Sequence, residues 1–169
     1  VTIFIMLLLS ACSALPGGST TAGDGAASDS PHEQRTDMIK KSPNDSREYR
    51  SLDLPNGLQV LLISDPTTDK AAAAMDVHVG SEDDPVDRQG LAHFLEHMLF
   101  LGTEKYPDAD AYQKYINQHG GSHNASTSLN HTNYFFDIDK QFLAPALDRF
   151  SQQFTAPLFT AEYVEREKN

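Results

Sequence analysis

Residues 91–101 read Leu-Ala-His-Phe-Leu-Glu-His-Met-Leu-Phe-Leu. The stretch contains neither Gly nor Pro and consists mostly of strong helix formers, which predicts a buried helix that ends at Gly102. Strand-like segments lie on both sides of it along the chain. The fold class therefore depends on what this helix packs against.

Three strand-like segments precede the helix. Residues 49–54 and 58–63 are short and rich in apolar side chains, and the Pro-Asn-Gly sequence at 55–57 between them predicts a hairpin. Residues 72–79 are small and apolar, and they predict a buried third strand that ends at Gly80.

Both helices and strands follow the first helix. In order, they are a helix over 108–119 that ends at a Gly-Gly pair, strands over 122–128 and 133–138, a helix over 140–154, and a last helix that Thr160 can cap. Strands and helices do not alternate regularly. This pattern predicts an α+β fold in which a mostly antiparallel sheet packs against helices.

The first predicted helix carries His93, Glu96 and His97, which form the inverted H-x-x-E-H pattern. Residues i and i+4 of an α-helix are about 40° apart around the axis and about 6 Å apart along it, so both imidazoles can bind one metal ion. Glu96 lies one turn from His93 on the same side, where its carboxylate can deprotonate a metal-activated water molecule. The pattern predicts a zinc-dependent peptidase.

Two histidines on one helix face also have an ordinary interpretation. His93 and His97 could hydrogen-bond near the end of a core helix while Glu96 forms a salt bridge elsewhere. The other histidines of the folded part are expected to be polar surface or loop residues rather than ligands. They are His78, His119, His123 and His131.

The composition excludes some classes of protein. The formal net charge is -11 at pH 7, which argues against a nucleic-acid binder because that affinity comes from Lys and Arg on phosphates. Cys12 is the only cysteine, so the sequence contains no intrachain disulfide and no cysteine-rich metal site. The balance is typical of an acidic soluble enzyme.

The N-terminal residues resemble a secretory signal. Residues 2–9 form an apolar run that is too short to span a bilayer, and the run matches the h-region of a signal peptide over residues 1–11. Leu-Ser-Ala-Cys at 9–12 resembles a bacterial lipobox, in which the Cys12 sulfur carries a lipid anchor to the membrane. This predicts a periplasm-facing lipoprotein, and Ser13 favours the outer membrane of a Gram-negative bacterium. The alternative is an ordinary signal peptide with a chance cysteine.

Residues 12–45 are rich in Gly, Ser, Thr, Ala, Asp and Pro and contain almost no large apolar side chains. Such a stretch cannot bury enough surface to offset the entropy of ordering it, so we expect a flexible, lipid-anchored tether. The folded domain is expected over residues 46–169. Because the chain begins at Val1 and stops at Asn169 inside a charged, helix-like run, we expect both ends to be cut and the domain to be truncated at its C-terminus.

The sequence resembles the pitrilysin and insulin-degrading enzyme family, the M16 metallopeptidases. The resemblance is carried first by residues 90–107, Gly-Leu-Ala-His-Phe-Leu-Glu-His-Met-Leu-Phe-Leu-Gly-Thr-Glu-Lys-Tyr-Pro. It continues through His-Gly-Gly at 119–121, Asn-Ala-Ser-Thr at 124–127, Thr-Asn-Tyr-Phe-Phe at 132–136 and Val-Glu-Arg-Glu-Lys-Asn at 164–169. Family members have four related α/β domains in two halves that close around a peptide. The resemblance implies that this chain is most of the first domain, with the LuxS/MPP-like fold.

The resemblance implies roles for individual residues. His93 and His97 would bind one Zn2+, and Glu96 would be the catalytic base. Asn124 and Ala125 would belong to an edge strand to which a peptide substrate adds by backbone pairing. The alternative for Asn124 is a turn residue.

The resemblance also implies a third zinc ligand, a Glu expected a few residues beyond Asn169. Glu167 matches a second acidic position near the metal, with a supporting role rather than direct ligation; its alternative is a solvated helix charge. A catalytic zinc normally has three protein ligands and a water molecule. The isolated chain is therefore expected to bind zinc weakly and to lack useful activity.

Together these features predict a zinc metalloendopeptidase that hydrolyses peptides and small unfolded polypeptides. One alternative is an inactive M16-like subunit that is structural or binds peptides without cutting them. The intact His93, Glu96 and His97 argue against it. A further alternative is a lipoprotein binding module in which the motif is accidental.

Overall fold

The computed structural model describes the backbone of residues 2–9 and the whole of residues 39–168. Cys12 and most of the expected tether lie outside these residues, so the lipid anchor and the flexible tether stay predictions. No helix in the described part of the chain is both long and apolar enough to cross a membrane.

Across residues 2–9 and 39–168 the chain forms a six-stranded sheet. The strands are β1 (Thr2–Leu9), β2 (Glu48–Asp53), β3 (Leu58–Asp65), β4 (Lys70–Val77), β5 (Ser122–Thr127) and β6 (Thr132–Asp139). Their order across the sheet is β2-β3-β1-β4-β6-β5. All neighbouring strands are antiparallel except β1 and β4, which are parallel. The predicted α+β class with a mostly antiparallel sheet is confirmed.

Strand β1 contains the residues that the sequence assigns to a signal peptide. It lies between β3 and β4, antiparallel to β3 from Thr2↔Asp65 to Leu9↔Leu58 and parallel to β4 from Ile5↔Ala73 to Leu9↔Val77. Signal cleavage before Cys12 would therefore remove this strand and leave β3 and β4 without the neighbour that separates them. The signal-peptide prediction requires a mature protein that begins at Cys12, whereas the sheet as described requires residues 2–9 to be retained.

The helices follow the predicted order with shifted ends. They are α1 (Leu91–Leu99), α2 (Ala111–Gln118), α3 (Leu143–Thr155) and α4 (Ala161–Glu167), with short 3-10 turns at Ser81–Asp83 and Lys140–Phe142. The predicted start of α2 at Asp108 is three residues early, because Asp110 is the N-cap. Thr160 is the N-cap residue of α4 as predicted, but its side chain makes no capping hydrogen bond.

The core lies between the sheet and helices α1 to α3. Strand β6 buries alternate residues, Tyr134, Phe136 and Ile138, as the two-residue period of a strand requires. Phe150 of α3 packs on Phe136 with ring centroids 5.2 Å apart. The cluster also contains residues of β4, α1, α2 and α3: Ala71, Ala73, Met75, Leu99, Tyr112, Ile116, Leu143 and Ala146.

The start of α1 is held by a carboxylate from the preceding loop. Gly90 is the N-cap, and its φ of 90° is a conformation that favours glycine. Asp84 accepts hydrogen bonds from the amide nitrogens of Gly90, at 2.6 Å, and of Ala92, at 2.8 Å. These are amides that the first turn of a helix cannot satisfy internally. Asp84 therefore performs the function of a capping side chain from outside the helix.

Replacing Asp84 with Ala should destabilise the protein by about 1 kcal/mol, because two amide groups at the start of α1 lose their acceptor. Urea denaturation of the purified protein measures the change in the free energy of unfolding. The matched control is Asp87→Ala in the same loop, where the carboxylate is 81% exposed and lies 3.8 Å from Arg88. We expect the control to change stability by less than about 0.5 kcal/mol. Equal effects from both substitutions would contradict the capping role of Asp84.

Candidate metal centre

Helix α1 places the predicted metal ligands side by side. The Nε2 atoms of His93 and His97 are 3.2 Å apart. Their rings meet edge to face, with centroids 4.8 Å apart and an interplanar angle of 82°. Both side chains are exposed, whereas Glu96 between them is buried. The helix thus presents two imidazoles to solvent and turns the carboxylate toward the protein.

The donor set fits a zinc ion. Two imidazole nitrogens bound tetrahedrally to zinc at about 2.0–2.1 Å lie about 3.3 Å from each other. The separation of 3.2 Å between the two Nε2 atoms agrees with that value. One carboxylate oxygen of Glu96 and one nitrogen from each imidazole all lie within 4.8 Å of one another. These two histidines can therefore hold one ion with Glu96 beside it.

Glu96 is held by a residue for which the sequence interpretation gave no role. The residue is 7% exposed, and its Oε2 accepts a hydrogen bond of 2.6 Å from the hydroxyl of Thr127. Within residues 39–168 the contact found for the Glu96 carboxylate is this hydrogen bond, and the salt bridge of the ordinary interpretation is not seen there. Burial, and to a lesser degree the charge of Glu96, raise the pKa of the nearby Tyr134 phenol, which keeps that group protonated.

Glu167 of α4 contacts the outer nitrogen of His97. Its Oε2 is 3.3 Å from His97 Nδ1, while its Oε1 is 3.3 Å from the Arg166 guanidinium. A carboxylate at Nδ1 favours the tautomer that carries its proton there, which leaves the Nε2 lone pair directed at a metal. The supporting role that the family resemblance implies for Glu167 stays a prediction.

Strand β5 is at the edge of the sheet and ends beside α1. Among the strands that the structure describes, it pairs with β6 alone. Asn124 is exposed, and Ala125 is half-buried against the core. Both residues are within a strand, so the alternative that Asn124 is a turn residue is wrong. The chain just beyond β5 is covered, since Ser81 and Glu82 donate their amides to the carbonyls of Ser128 and Leu129.

The remaining histidines differ from expectation in two cases. His78 and His131 are exposed, as predicted. His119 is half-buried between the rings of Tyr115 and Phe142, 4.2 and 4.0 Å away. His123 is half-buried against the rings of Phe100 and Tyr112, and burial lowers the pKa of its imidazole.

Strand periodicity accounts for the face of β5 on which Thr127 lies. Residues 123, 125 and 127 of β5 share one face. That face contacts the helices, because Ala125 packs on the core cluster and Thr127 on Glu96. The two-residue period predicts that His123 and Thr127 face the helices, but only once the core face of β5 is known.

Comparison with known proteins identifies the family of this chain. The profile of the family described as Insulinase (Peptidase family M16) matches residues 59–169. Insulin-degrading enzyme of Mus musculus is 58% identical over 133 residues, which are 79% of this chain and 13% of that protein. "Insulin-degrading enzyme-like 1, peroxisomal" of Arabidopsis thaliana is 57% identical over 129 residues, covering 76% of this chain and 13% of its own length.

A solved structure shows the same relationship. The crystal structure of pitrilysin matches with a TM-score of 0.78 and 43% sequence identity, and the match covers 82% of this chain and 15% of pitrilysin. The chain thus spans about an eighth of the length of the curated relatives it matches. By the family profile, the sequence identity and the shared fold, this chain belongs to the insulinase family of peptidases, family M16.

Proposed function

We propose that this chain carries the metal-binding part of a zinc-dependent endopeptidase that hydrolyses peptides and small unfolded polypeptides. The observation that carries the proposal is the site on α1. Two Nε2 atoms lie 3.2 Å apart, and a buried carboxylate lies within 4.8 Å of them. Membership in a peptidase family supports the reaction class.

Each residue of the site has one role in the proposed reaction. His93 and His97 would bind the metal through Nε2, and Glu167 would orient His97 from the other side of the ring. A bound zinc ion supplies Lewis acidity, which makes a water molecule easier to deprotonate and a peptide carbonyl easier to attack. Glu96 would accept a proton from the attacking water and then deliver it to the leaving amine.

The exposed edge of β5 is the proposed site for the substrate backbone. An extended peptide can add to a free sheet edge through main-chain hydrogen bonds, which demand little of its side chains. Asn124 and Ala125 lie in this edge strand, and Thr127 at its end contacts the catalytic carboxylate. A peptide paired along β5 would therefore run toward the metal centre.

The described residues supply two zinc ligands, His93 and His97, because Glu96 acts as the base and not as a ligand. A catalytic zinc site normally has three protein ligands plus water. We infer that the third ligand is a Glu beyond Asn169 in the full-length protein. The isolated chain would then bind zinc weakly and hydrolyse peptides poorly. The inactive-subunit alternative is less well supported, since His93, Glu96 and His97 are all intact.

Replacing Glu96 with Gln in the full-length protein should lower peptide hydrolysis by about 10²- to 10⁴-fold, because Gln keeps the shape of the side chain but cannot accept the proton. The zinc content should stay unchanged, because the two histidines remain. Hydrolysis of a short unstructured peptide and metal analysis of the purified variant measure both quantities.

The matched control for this substitution is Glu104→Gln, an exposed residue in the loop after α1. It should leave hydrolysis unchanged. The isolated chain, assayed in parallel with added zinc, should show no useful activity. Hydrolysis that survives Glu96→Gln would refute the role of Glu96, and an active isolated chain would refute the need for a third ligand.

Replacing Glu167 with Gln in the full-length protein should weaken zinc binding by about 10- to 100-fold, since His97 loses the carboxylate that orients it. Competition with a chromogenic chelator measures the zinc dissociation constant. Glu165→Gln is the matched control on the same helix, where the carboxylate lies 2.7 Å from Lys168. Equal zinc affinity in both variants would show that Glu167 does not support His97.

We also propose that the protein is exported and lipid-anchored through Cys12, a proposal that rests on the lipobox-like sequence at 9–12. Mass spectrometry of the protein purified from a Gram-negative host tests it. A mature N-terminus at lipid-modified Cys12, abolished by Cys12→Ser, would support the anchor. A protein that retains residues 2–9 would refute it and would agree with β1 as part of the sheet.

A further inference from the structure

The only protein group that hydrogen-bonds to the Glu96 carboxylate within residues 39–168 is the hydroxyl of Thr127. The bond is 2.6 Å long and links the last residue of β5 to the middle of α1. Glu96 is 7% exposed, so only a small part of the residue is open to the water from which it would take a proton. A buried carboxylate depends strongly on each hydrogen bond that it keeps.

We propose that Thr127 is a positioning residue that fixes the orientation of the Glu96 carboxylate for proton transfer. The inference rests on the proposed function of Glu96 as the base. Thr127 donates to Oε2, which leaves Oε1 without a hydrogen-bond partner among residues 39–168 and free to accept a proton. Without the hydroxyl, the terminal torsion of Glu96 is broad and roughly two-fold, and neither oxygen is selected.

The backbone of Thr127 is itself firmly placed. Thr127 pairs with Thr132 across the β5–β6 hairpin, and the amide of Ser128 donates to the carbonyl of His131 at 2.9 Å. Thr132 is 3% exposed and donates its hydroxyl to the carbonyl of Val79 at 2.8 Å. A β-branched side chain on such a backbone has few accessible rotamers, so its hydroxyl is a well-defined donor.

The same hydrogen bond couples the two parts of the proposed site. Thr127 ends the edge strand on which a peptide would pair, and Glu96 would act on the water that attacks that peptide. A shift of β5 relative to α1 would therefore move the Glu96 carboxylate. If the hydroxyl had only a structural role, its removal would lower stability but would not lower kcat while KM stays unchanged.

The test compares Thr127→Val and Thr127→Ser in the full-length protein. Val keeps the branched shape without the hydroxyl, and Ser keeps the hydroxyl. We expect Thr127→Val to lower kcat by about tenfold to a hundredfold with KM changed by less than about twofold, because only placement of the base is lost. Thr127→Ser should retain kcat within about threefold of the parent.

Thr67→Val is the matched control. Thr67 lies between β3 and β4 and also donates its hydroxyl to a carboxylate, that of Asp65, at 2.7 Å. It should leave kcat and KM unchanged. Equal losses in kcat for Thr127→Val and Thr67→Val, or no rescue by Thr127→Ser, would overturn the proposal.

Crystal structures of the metal-free variants give a second readout that needs no activity. In the parent and in Thr127→Ser, the Glu96 carboxylate should occupy one conformer within hydrogen-bonding distance of residue 127. In Thr127→Val it should move or spread over several conformers. An unchanged carboxylate in Thr127→Val would overturn the proposal. If the unsubstituted protein hydrolyses no peptide, the peptidase function fails, and the crystallographic comparison still decides whether Thr127 orders Glu96.

Discussion

The rotation of α1 about its own axis is the constraint on which the site depends. Two histidines must point out of the protein while the glutamate between them points in. Met98 and Leu99 are buried, at 2% and 7% exposure, and they hold the helix against the core. A helix of nine residues is too short to be stable by itself. Its orientation therefore comes from tertiary contacts rather than from helix propensity.

Three polar contacts complete this orientation from different directions. Asp84 holds the amides at the start of the helix, Thr127 holds the carboxylate on the inner side, and Glu167 contacts the imidazole of His97 on the outer side. Two of the three, Asp84 and Glu167, are acidic. A divalent cation between the histidines would offset the negative charge of Glu96 and Glu167, the two carboxylates that lie near the imidazoles.

The residue pattern predicted much of this arrangement because helix periodicity is a local property. Positions 93, 96 and 97 need only a helix to come together, and the sequence from 91 to 101 specifies one. Contacts between distant segments could not be deduced in the same way. Asp84 contacts α1 from a loop and Thr127 contacts it from the end of a strand. Neither residue type by itself indicates which residue it will contact.

The apolar run at residues 2–9 shows most clearly what a local sequence pattern cannot decide. Eight consecutive apolar or β-branched residues are typical both of a signal peptide and of a strand buried on both faces. Composition cannot separate these two, whereas the structure places the run as β1 inside the sheet. The burial of His123 is a second example, because it depends on which face of β5 packs against the helices.

Anomalous diffraction at the zinc absorption edge, from crystals of the full-length protein, tests the central claim most directly. We expect one peak at about 2.0–2.1 Å from the Nε2 atoms of both His93 and His97, with the Glu96 carboxylate outside bonding distance. A peak that is bonded to Glu96, or that lies away from these two imidazoles, would contradict the account.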